Sequence, residues 1–140
     1  MSSLDKIDEK IVSILKTDSR KAFVEIAQEV GLSESAVRRR VKNLVDGGTI
    51  KKFTIEIGAS NKTSAITLIS VSPSTDTSKV SEKLKSLKGV DVVYEITGQY
   101  DIVAIVSAPT ITEINKSIDE VRRIDGVDDT NTVIILRTIS

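Results

Sequence analysis

Cysteine and histidine are both absent from this 140-residue chain, and together the two absences remove more chemistry than either alone. Without cysteine there is no disulfide, no thiolate metal site and no thiol nucleophile. Without histidine the commonest general base and the imidazole ligand most used for zinc are missing as well. Catalysis would have to run on carboxylates, lysine or hydroxyls, and no such constellation stands out. A binding protein that is not an enzyme, with no resident metal or cofactor, is therefore expected. Long hydrophobic runs are also missing: none approaches the ~18 residues that a membrane-spanning helix needs. The opening MSSLDKIDEK has no signal-peptide core, so a cytoplasmic protein that does not engage membranes is the simplest expectation. Charge of either sign is not in excess, since 20 Lys and Arg face 20 Asp and Glu. That balance excludes a histone-like blanket of positive charge.

The remaining composition is that of an ordinary globular chain, 39% apolar and 29% charged, with room for one large domain or two small ones. Divided at Gly58, the charge is uneven. Residues 1–58 hold 11 Lys and Arg against 9 Asp and Glu, net +2, and the remainder holds 9 against 11, net −2. Any surface for nucleic acid must then be a local patch.

The first half reads as three short helices. The first opens at Leu4 or Asp5, carries Ile7, Ile11, Ile14 and Leu15 inward, and has Asp5, Asp8 and Glu9 in its first turns, where the helix dipole favours them. A second runs from Ala22 to Val30 with Phe23, Ile26, Ala27 and Val30 inward. Gly31 follows where a left-handed C′ residue is wanted, Leu32 can plug the corner, and Ser33 is placed to N-cap a third helix. In that helix, SESAVRRRVKNLVD, the residues Val37, Val41, Leu44 and, at the edge, Val45 form one stripe. Ser35, Arg38, Arg39 and Lys42 form the opposite one. Two helices joined by Gly-Leu-Ser describe a helix-turn-helix, whose second helix enters the major groove of double-stranded DNA. Ser33, Ser35, Arg38, Arg39 and Lys42 are the candidate DNA contacts, with Lys42 toward phosphate and Ser35, Arg38 and Arg39 toward base edges. A charged face of this kind can equally be a merely solvated one. Arg40 lies nearer the buried flank, where pairing with an acidic neighbour or with phosphate are both open.

Gly47-Gly48 breaks the third helix, and the alternation of Ile50, Phe53, Ile55 and Ile57 predicts a strand over 50–58, a wing or an extended connector. Lys51 and Lys52 on it are solvated edge lysines or phosphate contacts. Residues 59–64, with Ser60, Asn61, Lys62 and Thr63, read as a linker. The pattern then changes to strands alternating with helices. Strands are expected at 65–71, 90–97, 102–107 and 127–136, and helices at 76–88, with Val80, Leu84 and Leu87 inward, and from Thr110, with Ile114, Ile118 and Val121 inward. Gly89-Val90-Asp91 recurs as Gly126-Val127-Asp128, an internal echo of two β-α-β halves. The order βαββαβ predicts a ferredoxin-like antiparallel sheet with both helices on one face. Its other face would be apolar, which on a small domain implies self-association, at least a homodimer.

These motifs resemble, in order and over nearly the whole chain, the Lrp/AsnC (feast/famine) family of transcriptional regulators. The residues that carry the resemblance are Leu4-Asp5-x-x-Asp8, Ile26-Ala27-x-x-Val30-Gly31-Leu32-Ser33, Val37-x-x-Arg40-Val41-x-x-Leu44, Gly48-x-Ile50, and Thr97-Gly98-x-Tyr100-Asp101. The resemblance implies an α+β chain with a winged-helix-like helix-turn-helix domain at 1–49, a strand and linker at 50–63, and a βαββαβ oligomerisation and effector domain at 64–140. It also implies a sequence-specific DNA-binding homodimer that assembles further, to an octamer for example, and responds to a small effector, usually an amino acid. The effector would sit between dimers at Gly98, Gln99, Tyr100 and Asp101, facing Thr130, Thr132 and Ile134 of a neighbour's last strand. Asp101 would accept from the ammonium, while backbone N–H groups and Thr hydroxyls would serve the carboxylate. Read by itself, Gly98 to Asp101 is also an ordinary hairpin turn. Two other classes compete: a metabolite-sensing or interaction module that no longer binds DNA, and a small ferredoxin-like enzyme, for which no site is found.

Overall fold

The computed structural model describes residues 4–58 and 61–139, and the chain divides into two compact units, Met1–Ile57 and Gly58–Ser140.

The first unit holds α1 (Lys6–Thr17), α2 (Phe23–Val30) and α3 (Glu34–Asp46). Each begins where its local chemistry dictates. The Asp5 carboxylate accepts from the Asp8 N–H at 2.7 Å and caps α1, and Ser33 Oγ accepts from the Ala36 N–H at 3.2 Å and caps α3. Ala22 has no side-chain cap of its own, and Glu25 reaches back to its N–H instead. Gly31 takes φ +72° and ends α2 in the left-handed conformation that a β-carbon would strain. The expected stripes meet in one core: Ile11, Leu15, Ile26, Ala27, Val37, Val41 and Leu44 are buried, with Ile7, Ile14, Phe23, Val30, Leu32 and Ile50 packed around them. Val45, at the edge of the predicted stripe, is exposed.

The predicted strand over 50–58 is not formed. Ile50 tucks in, its N–H bonding the Leu44 carbonyl at 2.9 Å, but residues 51–57 have no regular structure. Phe53, Ile55 and Ile57 stand 52%, 78% and 71% exposed. The reason is topological: a strand is defined by a neighbour's hydrogen-bond ladder, and no segment among the described residues supplies one. The connector therefore has the side-chain alternation of a strand without its pairing, and the wing is missing. Of the expected linker, Ala59 and Ser60 lie outside the described residues, while Thr63 and Ser64 belong to the first strand of the sheet, paired with Ala108 and Ser107.

The second unit is the expected βαββαβ: β1 (Thr63–Val71), α4 (Thr77–Ser86), β2 (Val90–Glu95), β3 (Ile102–Ala108), α5 (Ile111–Arg122) and β4 (Val127–Ile134). The sheet order is β2-β3-β1-β4 with every neighbouring pair antiparallel. Period-2 alternation separates its faces. Ala65, Ile69, Val71, Ile102, Ala104 and Val106 face α4 and α5, and pack with Val80, Leu84, Ile114, Ile118 and Val121. The other face carries Ile66, Leu68, Val103, Ile105, Val92, Tyr94 and Val133, and neither helix of this unit covers it. Element ends differ slightly from expectation. Asp76 caps α4, which stops at Ser86 rather than Lys88, and β2 stops at Glu95 because the Ile96 N–H turns to the Asp101 carbonyl.

Candidate nucleic-acid interface and effector site

Helix α3 is held on one side and presented on the other. Val37, Val41 and Leu44 are buried in the helical core, while Ser33, Ser35, Arg38, Arg39 and Lys42 are all exposed. At 100° per residue the last four fall within a narrow arc opposite the buried stripe. Arg40 settles the alternative left open by its position. Its Nη1 donates to Asp5 Oδ2 at 2.7 Å and to Asp8 Oδ1 at 2.9 Å, with its side chain 28% exposed. Arg40 therefore ties α3 to the first turn of α1 and does not project outward. The Asp8 backbone N–H and then the Arg40 guanidinium hold the Asp5 carboxyl below its ordinary range. The two carboxylates, Asp5 first, push Arg40 up.

On the exposed arc the side chains are not equivalent. Ser33 Oγ is committed to the cap and lies 3.1 Å from Ser35 Oγ. Arg38 Nη2 donates to Glu34 Oε1 at 2.6 Å, and its guanidinium carbon lies 5.3 Å from the centre of the Phe23 ring. Lys42 Nζ is 2.5 Å from Asp46 Oδ2. Arg39 has no ion pair among the described residues. Reading the helix as a row of cations missed these partners, although Glu34–Arg38 and Lys42–Asp46 are visible in the sequence as i,i+4 spacings. Nothing in the sequence places Phe23 beside Arg38, because that proximity arises only from how α2 crosses α3. Lys51 and Lys52 are exposed on the irregular connector.

In the second unit Gly98 to Asp101 join β2 to β3. Gly98 turns at φ +112° with open space where a β-carbon would point. Gln99 is exposed, and Tyr100 and Asp101 are half-buried. Asp101 locks the turn to the end of β1. Its N–H donates to the Ile69 carbonyl at 3.0 Å, its carbonyl accepts from the Ile96 N–H at 2.9 Å, and its Oδ2 accepts from the Val71 N–H at 2.7 Å. The cause is strand length: β3 begins at Ile102, opposite Ile69, so β1 outruns its partner and a side chain takes over from the ladder.

The three opposing candidates divide. Thr130 is paired with Ile69, which puts it about 10 Å from Asp101 across two strand spacings, at the same end of the sheet. Its Oγ1 accepts from Arg122 Nε at 3.0 Å. Thr132 Oγ1 lies 3.1 Å from Oγ1 of the buried Thr67, and Ile134 packs against the sheet–helix core. Thr132 and Ile134 thus lie farther along β4, on the side that faces the helices, with their side chains engaged within the subunit.

Groups of three or more acidic side chains able to hold a metal do not occur among the described residues, and no helix there is long and apolar enough to cross a membrane. Residues 4–45 match the AsnC-type helix-turn-helix domain, and residues 64–140 match the Lrp/AsnC ligand binding domain. The HTH-type transcriptional regulator LysM of Saccharolobus solfataricus is 45% identical over 137 residues, covering 98% of this chain and 96% of that one. Escherichia coli AsnC superposes with a TM-score of 0.82 at 26% identity, over 97% of this chain and 94% of that one. The leucine response regulatory protein of Mycobacterium tuberculosis does so at 0.85 and 27%, over 98% and 95%. A helix-turn-helix with an outward cationic arc, followed by a ferredoxin-like ligand-binding sheet and matched along nearly its whole length by such regulators, places this chain in the Lrp/AsnC family of transcriptional regulators.

Proposed function

We propose that this protein binds double-stranded DNA sequence-specifically through the exposed arc of α3 and that a free amino acid modulates its binding or assembly. The observation that carries the DNA reading is the anchoring of α3. Its apolar stripe is buried, Arg40 is clamped to Asp5 and Asp8, and Ser35, Arg38, Arg39 and Lys42 are left outward. A rigid, two-point-anchored helix with a cationic outer face suits base edges flanked by phosphates. Arg39, with no acidic partner among the described residues, meets base edges, and Lys42 meets phosphate once it leaves Asp46. The protein acts as a regulator in the cytoplasm and not as an enzyme.

The uncovered sheet face, with Leu68, Ile105 and Tyr94, pairs two chains into a dimer, and dimers close into a larger ring such as an octamer. Two copies of α3 then reach successive major grooves, which one copy cannot do. The effector binds around Gly98, Gln99, Tyr100 and Asp101. Thr130 is the best-placed hydroxyl on β4 within one subunit, and Thr132 and Ile134 contribute only if assembly brings a neighbour's β4 to the turn. The amino-acid reading is supported by the relative from M. tuberculosis, whose name ties it to leucine, and by a turn that combines open backbone at Gly98 with the Asp101 carboxylate.

The test is anisotropy titration of a selected duplex at several salt concentrations. Wild-type protein should show a steep fall of affinity with salt, as phosphate contacts require. Arg39→Ala should weaken specific binding by about 1–3 kcal/mol at fixed salt. An unchanged dissociation constant would show that another face meets DNA, and no binding to any duplex would leave a sensor module without DNA.

A further inference from the structure

The outer arc of α3 holds its cations in two ways. Arg39 has no ion pair among the described residues, whereas Arg38 is held from two directions, by Glu34 Oε1 at 2.6 Å on its own helix and by the Phe23 ring, 5.3 Å away, at the start of α2. An exposed i,i+4 ion pair is a weak stabiliser. A carboxylate on a surface meant for phosphate also opposes binding at every sequence alike. Its presence there calls for a return in something other than fold stability or raw affinity.

We propose that Glu34 and Phe23 are positioning residues that fix the Arg38 guanidinium to read a guanine, so that this clamp sets sequence discrimination while lowering affinity for DNA in general. A guanidinium has five N–H donors in one plane. The bond to Glu34 occupies one, on Nη2, and leaves the others for the paired N7 and O6 acceptors that guanine presents in the major groove. The ring face of Phe23 attracts the cation and restrains the guanidinium's position, and the Glu34 carboxylate restrains its rotation. Arginine loses more rotamer freedom on binding than most side chains, so a pre-set geometry spares part of that loss at the cognate base and nowhere else. Glu34 contributes in the opposite sense at non-cognate sites, where Arg38 has no acceptor pair and the carboxylate only repels phosphate. The clamp rests on the reading that α3 meets DNA. It adds that a G·C pair lies under the N-terminal half of that helix, and that discrimination at that pair depends on two residues which need not touch the base.

The experiment uses the full chain. Wild-type protein selects duplexes from a randomised library, and dissociation constants are then measured for the selected duplex and for versions with each G·C pair changed to A·T. One G·C pair should lose discrimination in Arg38→Ala by about ten- to hundredfold, the range of a good bidentate contact. At that same pair Glu34→Gln should lower discrimination severalfold while tightening binding to unrelated DNA, a gain that damage to the fold would not produce. Phe23→Leu should lower discrimination without that gain, and Phe23→Tyr should restore it. The double variant Glu34→Gln with Arg38→Ala should discriminate no worse than Arg38→Ala alone. Loss of discrimination in Arg38→Ala with none in Glu34→Gln or Phe23→Leu would overturn the clamp and leave the DNA reading intact. Selected sequences to which all these variants are indifferent would overturn the clamp and assign recognition to Arg39 or another face. Failure to select any sequence would refute the DNA reading and the clamp together.

Discussion

Asp101 serves two claims that a single substitution can confuse and a pair can separate. Its Oδ2 accepts from the Val71 N–H at 2.7 Å where β1 runs past the start of β3. Asp101→Ala removes that acceptor and leaves the amide without a protein partner, a loss worth about 1–3 kcal/mol when water cannot replace it. Because Asp101 is only half-buried, water restores part of the bond and about 1–2 kcal/mol is the expected loss. In a unit of this size that corresponds to a fall of roughly 4–16 °C in Tm at fixed protein concentration. Asp101→Asn keeps an amide oxygen for the Val71 N–H and gives up only the charge, which contributes about half of such a bond, so it should lie well above the alanine variant. Effector binding makes the opposite demand. An ammonium needs the negative charge, so both variants should lose any thermal shift that a free amino acid produces in the wild type. Scanning calorimetry of the three proteins against a panel of amino acids reads both effects. Equal Tm for wild type and Asp101→Ala would refute the capping argument. A ligand-induced shift that survives in Asp101→Asn would refute the assignment of Asp101 to the ammonium and move the effector elsewhere on the sheet.

Three further outcomes test other parts of the structure. Asp5 is held below its ordinary pKa by the Asp8 N–H and by Arg40, so it adds stability that is fully present above the unfolded carboxylate pKa and is lost as pH falls through the lower, folded one. Urea midpoints of wild type and Asp5→Asn should therefore differ at pH 7 and converge well below pH 4, and a gap that stays constant with pH would count against the ion pair. On the open sheet face, Leu68→Lys leaves the helix-side core untouched and puts a charge at the centre of the proposed dimer contact, so sedimentation should show smaller species than wild type; unchanged assembly would place the interface elsewhere. Gly31→Ala forces a β-carbon into φ +72° with open space around it, so the loss is conformational strain alone, about 1–2 kcal/mol by denaturant titration, and a neutral result would mean the turn relaxes.

What the sequence disclosed and what it hid follow from the range of the forces involved. Capping, helix stripes and strand alternation are local, so Ser33 as a cap, Gly31 at the end of α2 and the order of the helices and strands α1 to β4 could be read from neighbours a few residues apart. Interactions across the fold could not. Arg40 meets Asp5 and Asp8 over more than thirty residues of chain, and Phe23 reaches Arg38 only through the crossing of α2 and α3. Thr130, Thr132 and Ile134 enter as opposing candidates only through the family resemblance, and they alternate along one strand. The register with β1 shows that the alternation points them to the helix side, where Thr67 and the core claim two of the three. The connector over 50–57 is the most instructive mismatch. Its alternation of Phe53, Ile55 and Ile57 with polar residues is genuine strand chemistry, yet within one chain those side chains stand in solvent. Period-2 patterning reports that one side of a segment is made to be covered and carries no information about which chain covers it. A pattern written for a strand and left unpaired among the described residues supports the proposed assembly of more than one copy, on grounds separate from the uncovered sheet face in the second unit.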